Sequence, residues 1–321
     1  MTQGPADLAH AVRSGDRRSL ARAITLVESR HAGDAARALE LLRELWPHHR
    51  RQLRVGVSGP PGVGKSTLLE SLGMHLLSLG QRPFVLVVDP SSQRGGGSIL
   101  GDKTRMTRLS RAEAAFVRPS PSGDAGGGIS PAAGDVLFLC EAAGFAPSLV
   151  ETVGVGQAEL AVTRVVDILI VLLEPGAGDE LQGIKRGLNE WADVVAVNKA
   201  EAERATLAER TRGEFEAAFQ LLRGKDAPRV SCVSARDGSG IDDLWHAVEE
   251  RYATLLASGE LERRRVAQRK AELGQRLALA LMREFTEDPA RHQALERAER
   301  DVEAGTLLAA EAVERLLRRP G

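Results

Sequence analysis

The chain has 321 residues, with 43 lysine and arginine side chains against 44 aspartate and glutamate side chains, so its net charge is −1. This balance excludes the strongly basic field with which proteins bind nucleic acid nonspecifically. Hydrophobic residues make up 43% of the chain and charged residues 27%, as in folded globular proteins. No apolar run approaches the ~20 residues of a membrane-spanning helix, and the N-terminal residues lack the apolar core of a secretory signal. We therefore expect a cytoplasmic protein that binds neither nucleic acid nor membranes.

Residues 1–50 are predicted to form an N-terminal helical extension. Apolar side chains recur near a 3.6-residue period between residues 6 and 46, which predicts amphipathic helices. The predicted break between two helices is Gly33-Asp34. The segment is predicted to end at Trp46-Pro47, because the residue before a proline avoids the α-helical region. We interpret His48-His49 as a solvated linker, since adjacent residues do not share one face of a helix.

Residues 51–258 alternate between short apolar runs and helical patterns. Strands are predicted at 53–58, 84–89, 149–152, 168–173, 194–198 and 230–234, with a weaker candidate at 115–117. Helices are predicted at 66–79, 132–143, 180–190, 203–222 and 241–256. This alternation indicates an α/β fold with a mainly parallel sheet covered by helices on both faces.

Residues 259–321 carry no strand signal and form a charged C-terminal helical extension with leucine-containing stripes. Two interpretations fit this pattern, namely helices packed on the parent domain and a dimerisation arm. The prediction that follows from the second is a homodimer. Arg263-Arg264-Arg265 is interpreted as a solvated helix face, with an anionic partner surface as the alternative.

The strongest motif matches G-x-x-x-x-G-K-[ST] and lies between a predicted strand and a predicted helix. Backbone N–H groups of such a loop bind phosphates, and its lysine reaches the β- and γ-phosphates, while its hydroxyl binds Mg²⁺. The predicted nucleotide-binding residues here are Gly59, Pro60, Pro61, Gly62, Val63, Gly64, Lys65, Ser66 and Thr67.

Two further motifs predict a guanine-binding pocket. Asn198-Lys199-Ala200-Glu201 follows a predicted strand and resembles the N-K-x-D pattern, whose carboxylate accepts hydrogen bonds from the purine. Glu201 stands in place of the aspartate, which puts the carboxylate one methylene further out. Ser234-Ala235, at the end of the last predicted strand, resembles the S-A motif that closes such pockets. A helix-capping role for Asn198 and Glu201 is the alternative.

Two acidic residues close predicted strands, where side chains reach the ligand crevice of an open α/β sheet. They are Asp89 and Glu151, and such carboxylates hold Mg²⁺ or position the attacking water. The alternative is that each caps a following turn. Glu151 opens an E-x-x-G variant of the GTPase D-x-x-G switch. Val155 follows its glycine where Ras-like enzymes have a glutamine, so the usual water-orienting group is missing.

Several longer motifs make the sequence resemble the MeaB/MMAA family, also called ArgK-type. They are Asp89-Pro90-Ser91-Ser92, the run at 96–106, Arg118-Pro119-Ser120-Pro121-Ser122, Glu151-Thr152-Val153-Gly154-Val155-Gly156-Gln157 and the run at 178–185. The resemblance covers about residues 54–234. It implies a P-loop GTPase of the SIMIBI class that uses Mg²⁺ with GTP and GDP and serves as a chaperone of cobalamin-dependent acyl-CoA mutases such as methylmalonyl-CoA mutase.

The resemblance also implies residue roles. It places Asp89, Asp102 and Glu151 in the magnesium and hydrolysis region. Together with the phosphate-binding loop, the predicted catalytic residues are Lys65, Asp89, Asp102 and Glu151, and the predicted magnesium ligands are Ser66, Asp89, Asp102 and Glu151. Residues 178–185 match a mobile segment with which the family communicates with the mutase. The sequence departs from the family pattern at Gln93-Arg94-Gly95, at residues 123–128 and at Glu201.

Three alternative functions stay open at this point. A nickel-inserting GTPase of the same superfamily needs soft or imidazole ligands near the nucleotide, and the sequence has only Cys140, Cys232 and scattered histidines. An ATP-dependent kinase of a transport protein needs a second substrate site. A degenerate nucleotide-binding scaffold conflicts with the intact Lys65 and Ser66.

Overall fold

The structure, a computed structural model, describes residues 4–29, 31–89, 106–121, 129–152, 161–177 and 191–317. It divides into two compact units, residues 1–266 and residues 267–321. In the described ranges, every helix is too short or too polar to cross a bilayer. The strands are β1 (Arg54–Ser58), β2 (Phe84–Asp89), β3 (Phe116–Pro121), β4 (Ser148–Glu151), β5 (Ile168–Leu173), β6 (Val194–Val197) and β7 (Arg229–Cys232).

All these strands form one parallel sheet in the order β3-β2-β4-β1-β5-β6-β7. The α/β fold class is therefore confirmed. The central strands β1, β4 and β5 are buried along their whole length, and β5 accordingly is a continuous apolar run. The weak candidate at 115–117 is the start of β3, and the helix predicted at 180–190 lies outside the described residues.

The helices of the first unit cover both faces of the sheet. They are α1 (Pro5–Arg13), α2 (Arg17–Glu28), α3 (Ala32–Leu45), α4 (Lys65–Ser78), α5 (Thr107–Arg111), α6 (Ala133–Ala142), α7 (Ala205–Arg223) and α8 (Ile241–Ala257). One core cluster joins α1, α2, α3 and α6 to one face, and the other joins α4 and α8 to the opposite face. α9 (Glu260–Glu287) starts in this unit, and α10 (Pro289–Glu303) and α11 (Ala309–Leu317) belong to the second. The predicted domain boundaries after residues 50 and 258 stay predictions.

The described part of the N-terminal extension contains three α-helices, and the predicted break at Gly33-Asp34 is wrong. The chain leaves the helix at Ser29, and both predicted breaker residues lie in the first turn of α3. The Ser29 hydroxyl donates a hydrogen bond of 2.7 Å to Asp34, which closes the connection. A carboxylate in the first turn also complements the positive end of the helix dipole.

Two aspartates just before β5 and β6 hold the start of α9, within the first unit, against the sheet. Arg265 donates two 2.9 Å bonds to the buried Asp167, and Arg264 donates bonds of 2.9–3.0 Å to the buried Asp193. Burial disfavours the charged forms of both arginines, but their aspartate partners outweigh burial and raise the pKa of each. The predicted solvated face is therefore wrong for these two residues and right for Arg263, which is exposed and pairs with Glu260 of its own helix.

A second ion-pair cluster lies where β1 begins. Arg54 donates bonds of 2.6 and 2.8 Å to the buried Glu141 of α6, and the His49 Nε2 atom lies 2.6 Å from the same carboxylate. Burial raises the pKa of Glu141, but the hydrogen bonds from Arg54 and His49 outweigh burial and leave that pKa below its ordinary value. The predicted solvated linker is wrong at His49, whose ring also lies 4.3 Å from the ring of Phe138.

Candidate nucleotide-binding site

The loop between β1 and α4 needs glycine at both of its ends. Gly59 has φ of 149°, and a Cβ atom there would lie 2.6 Å from the Leu172 carbonyl oxygen. Gly64 has φ of 98°, and a Cβ atom there would lie 2.5 Å from Nδ2 of Asn198. The loop therefore packs tightly against the ends of the neighbouring strands, as a phosphate-binding loop must if its N–H groups are to face a ligand.

Lys65 is the first residue of α4 and is buried. Its Nζ atom donates hydrogen bonds of 2.9 Å to the Gly59 carbonyl and 3.0 Å to the Pro60 carbonyl. The ammonium group thus folds back over the loop and adds its charge to the positive end of the α4 dipole. This combination favours an anion such as a nucleotide phosphate.

Ser66 contacts the acidic residue at the end of β4. Its hydroxyl donates a hydrogen bond of 2.7 Å to Oε1 of Glu151, which is buried beside β1 in register with Val57. A hydroxyl and a carboxylate in direct contact are oxygen donors of the kind that Mg²⁺ prefers, so these two residues fit a magnesium ion. Asp89 ends β2, the other neighbour of β4, but its side chain lies outside the described part, as does Asp102.

Asn198 connects the phosphate-binding loop to the loop after β7. Its Nδ2 atom donates a hydrogen bond of 2.7 Å to the Val63 carbonyl, and its Oδ1 atom accepts one of 3.0 Å from the Ala235 N–H group. The residue is buried. The structure therefore brings together the P-loop and both predicted base-binding motifs, and it uses the Asn198 side chain as the brace between them.

Two contacts orient the remaining base-pocket residues. The Ser234 hydroxyl donates a hydrogen bond of 3.2 Å to Glu201, which leaves this carboxylate half-buried near the end of β6. Lys199 has a positive φ of 62° and forms a 2.6 Å ion pair with Glu174. A non-glycine residue in this backbone region is strained, and such strain clusters at functional sites. Thr67 follows Ser66 and is exposed in the first turn of α4.

Sequence reasoning missed two residues at this site. Glu174 directly follows β5, so the rule that singled out the strand-end acids Asp89 and Glu151 would also have found it. Ser71 lies inside α4, and its hydroxyl donates a hydrogen bond of 2.5 Å to the Ala235 carbonyl. A serine in the middle of a helix carries no sequence signal for such a contact.

A family comparison decides the class of this nucleotide site. A model described as methylmalonyl Co-A mutase-associated GTPase MeaB matches residues 20–290. The chain belongs to the MeaB family. Among its MeaB relatives, a probable GTPase of Mycobacterium tuberculosis is 45% identical over 313 residues, which cover 97% of this chain and 93% of the relative. The GTPase ArgK of Escherichia coli is 49% identical over 260 residues, covering 80% of this chain and 78% of the relative.

The MeaB relatives extend to animals and to a solved structure. The mouse mitochondrial methylmalonic aciduria type A homolog is 42% identical over 317 residues, covering 95% of this chain and 76% of the relative. A crystal structure described as LAO/AO transport system kinase has a TM-score of 0.74 and 37% identity, and the match covers 97% of this chain and 96% of that one. This MeaB protein is accordingly a P-loop GTPase that hydrolyses GTP.

Proposed function

We propose that the protein is a GTP-driven molecular switch that gates cofactor loading, or protection, of a cobalamin-dependent acyl-CoA mutase such as methylmalonyl-CoA mutase. The family description names a mutase-associated GTPase, and the mouse relative is named for methylmalonic aciduria. Both names support an acyl-CoA mutase as the partner. We place the protein in the cytoplasm and expect it to bind neither nucleic acid nor membranes.

The observation that carries the switch is the 2.7 Å contact between Ser66 and Glu151. Ser66 belongs to the phosphate-binding helix, whereas Glu151 is the last residue of β4 and leads directly into the E-x-x-G motif. The hydroxyl donates its proton to Glu151 and keeps its lone pairs for a cation, so a Mg²⁺ ion bound at Ser66 would also contact the Glu151 carboxylate. Nucleotide state at α4 is thereby linked to the chain after β4.

Mg²⁺ with GTP or GDP is the proposed cofactor, held by Ser66 and Glu151 with Asp89 and Asp102 from the family resemblance. When bound, the ion supplies positive charge at the β- and γ-phosphates. Lys65 neutralises charge on the same phosphates after leaving the Gly59 and Pro60 carbonyls. Glu201 accepts hydrogen bonds from the guanine edge.

We further propose that the protein is a homodimer whose C-terminal helical arm, residues 259–321, forms the contact. Large apolar side chains on α9 are exposed and share one face at a spacing of four residues, namely Leu273, Leu277 and Leu281. Helix pairs bury such stripes against each other.

The nickel-insertion alternative has little support from the cysteines. Burial raises the pKa of Cys232 to about 11 and the pKa of Cys140 well above its ordinary value, so burial disfavours the thiolate form of both residues. A soft metal needs thiolates. Among the described residues, no group of three or more His, Cys, Asp or Glu side chains could hold a metal ion.

The test of the proposed function is hydrolysis of γ-phosphate-labelled GTP with and without purified methylmalonyl-CoA mutase. We expect label in inorganic phosphate, at a rate below the ~1–100 s⁻¹ of kinases, because Val155 cannot orient water. Cognate mutase should accelerate this release, and the pair should co-elute in gel filtration. Label on a protein would favour the kinase alternative, and an unchanged rate without co-elution would contradict the mutase partnership.

A further inference from the structure

Both polar backbone groups of Ala235 are held by side chains from other elements. Its N–H donates to Oδ1 of Asn198 at 3.0 Å, and its carbonyl accepts from the Ser71 hydroxyl at 2.5 Å. Ser71 lies on α4, the helix that starts at Lys65. The loop after β7 is therefore fastened to the helix that binds the phosphates.

These bonds complete a closed circuit of contacts. Asn198 also donates to the Val63 carbonyl of the P-loop, which leads back through Gly64 to α4. Ser234, directly before Ala235, holds the Glu201 carboxylate at 3.2 Å. A shift of the Ala235 peptide moves Ser234 and hence the carboxylate that is assigned to the base. The P-loop is linked to Ala235 through the Asn198 side chain, whereas Glu201 is linked through Ser234, the residue next to Ala235 in the chain.

We propose that Ser71 is a positioning residue for guanine recognition. Its hydroxyl fixes the Ala235 carbonyl relative to α4. Glu201 can then hydrogen-bond the base of the same nucleotide whose phosphates bind Lys65 and Ser66. The inference rests on the proposed reading of guanine by Glu201. Ser71 acts through Ala235 and not by contacting the nucleotide. Removing the Ser71 hydroxyl therefore weakens discrimination between bases, and leaves phosphate binding and the chemical step unchanged.

The test compares Ser71→Ala with Ser78→Ala. Ser78 lies on the same helix, but among the described residues its hydroxyl bonds only the His75 carbonyl of that helix, at 2.6 Å. The probes are GDP, inosine diphosphate, which lacks the 2-amino group, and inorganic tripolyphosphate with Mg²⁺. For Ser71→Ala we expect the Kd of GDP to rise about 2- to 10-fold, as loss of one hydrogen bond implies. The preference for GDP over inosine diphosphate should shrink, whereas tripolyphosphate affinity and kcat at saturating GTP should stay at the Ser78→Ala values.

Rescue by the conservative variant completes the test. Ser71→Thr keeps the hydroxyl and should restore the preference for GDP over inosine diphosphate. Ser71→Cys keeps the side-chain volume without the hydroxyl, so it replaces Ser71→Ala if the alanine variant does not fold. Equal weakening of GDP and tripolyphosphate, or an unchanged GDP preference in both the alanine and the cysteine variants, would overturn the assignment. A wild-type protein that binds ADP as tightly as GDP would instead refute the reading of guanine by Glu201, whatever Ser71 does.

Discussion

The Ser66 hydroxyl donates a hydrogen bond of 2.7 Å to Oε1 of Glu151. Ser66 belongs to α4, the helix that follows the P-loop. Glu151 ends β4, which comes three strands later in the chain. Because β1 and β4 are parallel neighbours in the sheet, their carboxyl ends lie side by side and place these two oxygens in contact. The same contact makes both residues testable as a pair.

Replacing Glu151 should impair the response to magnesium. Glu151→Gln keeps the shape of the side chain but removes its charge, and a hard cation binds an amide oxygen more weakly than a carboxylate. We expect the Mg²⁺ concentration for half-maximal GTP hydrolysis to rise at least about 10-fold, the cost of removing even outer-shell partners of a metal. A Mg²⁺ titration of the hydrolysis rate measures this. Ser66→Thr, which keeps a hydroxyl, is the control, and an unshifted titration of Glu151→Gln would exclude a role at the ion.

Removing the P-loop ammonium should abolish hydrolysis. Lys65→Ala deletes a buried cation of the loop, where negative charge develops during phosphoryl transfer, and we expect a loss of about 10²- to 10³-fold in kcat. Single-turnover phosphate release together with GTP binding separates the two effects. Lys225→Ala, at an exposed lysine after α7, should behave as wild type. Near-normal turnover of Lys65→Ala would contradict the site assignment.

The local pattern predicted much of this fold because parallel buried strands produce apolar runs with sharp ends. The predicted strand at 168–173 has the same first and last residues as β5. The P-loop is recognisable because its glycines, lysine and serine lie close together in the sequence. The contacts that depend on distant partners could not be found this way. Arg264 and Arg265 look like a solvated helix face until the tertiary fold places Asp193 and Asp167 opposite them.

Acid should weaken the fold partly through Glu141. Its pKa lies below the ordinary 4.5, so its ionised form stabilises the native state above that pH, and this contribution is lost as pH falls through the folded-state pKa. Glu141→Gln leaves Arg54 buried without its charge partner, which costs roughly 3–5 kcal/mol at neutral pH. Urea unfolding between pH 7 and about pH 3 should therefore show a large gap from wild type that narrows in acid. Exposed Glu203→Gln should track wild type throughout, and a gap independent of pH would argue against the ionised pair.

The proposed dimer should dissociate when the α9 stripe becomes charged. Leu277 is 56% exposed within the second compact unit, and Leu277→Glu, alone or with Leu273→Glu, places charge in the centre of the proposed contact. Light scattering should then report a monomer. Leu221→Glu on α7 is the matched control, since this leucine is 88% exposed outside the arm. Point variants are preferable to truncation at residue 259, because that cut would also remove Arg264 and Arg265 and leave two buried aspartates short of partners.

Selectivity for guanine over adenine should persist but be weaker than it would be with aspartate at position 201. A partly buried carboxylate discriminates guanine because adenine leaves it unpaired, at roughly 1–3 kcal/mol. The longer Glu201 side chain loses some of that gain by ordering an extra rotamer. GTP should therefore outcompete ATP, Glu201→Asp should preserve or sharpen the preference, and Glu201→Ala should erase most of it.

Competition of labelled GTP against GTP and ATP measures these preferences, with Mg²⁺ dependence as the control that the phosphate contacts are intact. The Ser234 hydroxyl, which bonds Glu201 at 3.2 Å, gives an independent check. Ser234→Ala frees the carboxylate from its orienting contact and should reduce the preference for GTP less than Glu201→Ala does. Equal affinity of the wild-type protein for GTP and ATP would show that Glu201 does not read guanine, and would favour an ATPase instead.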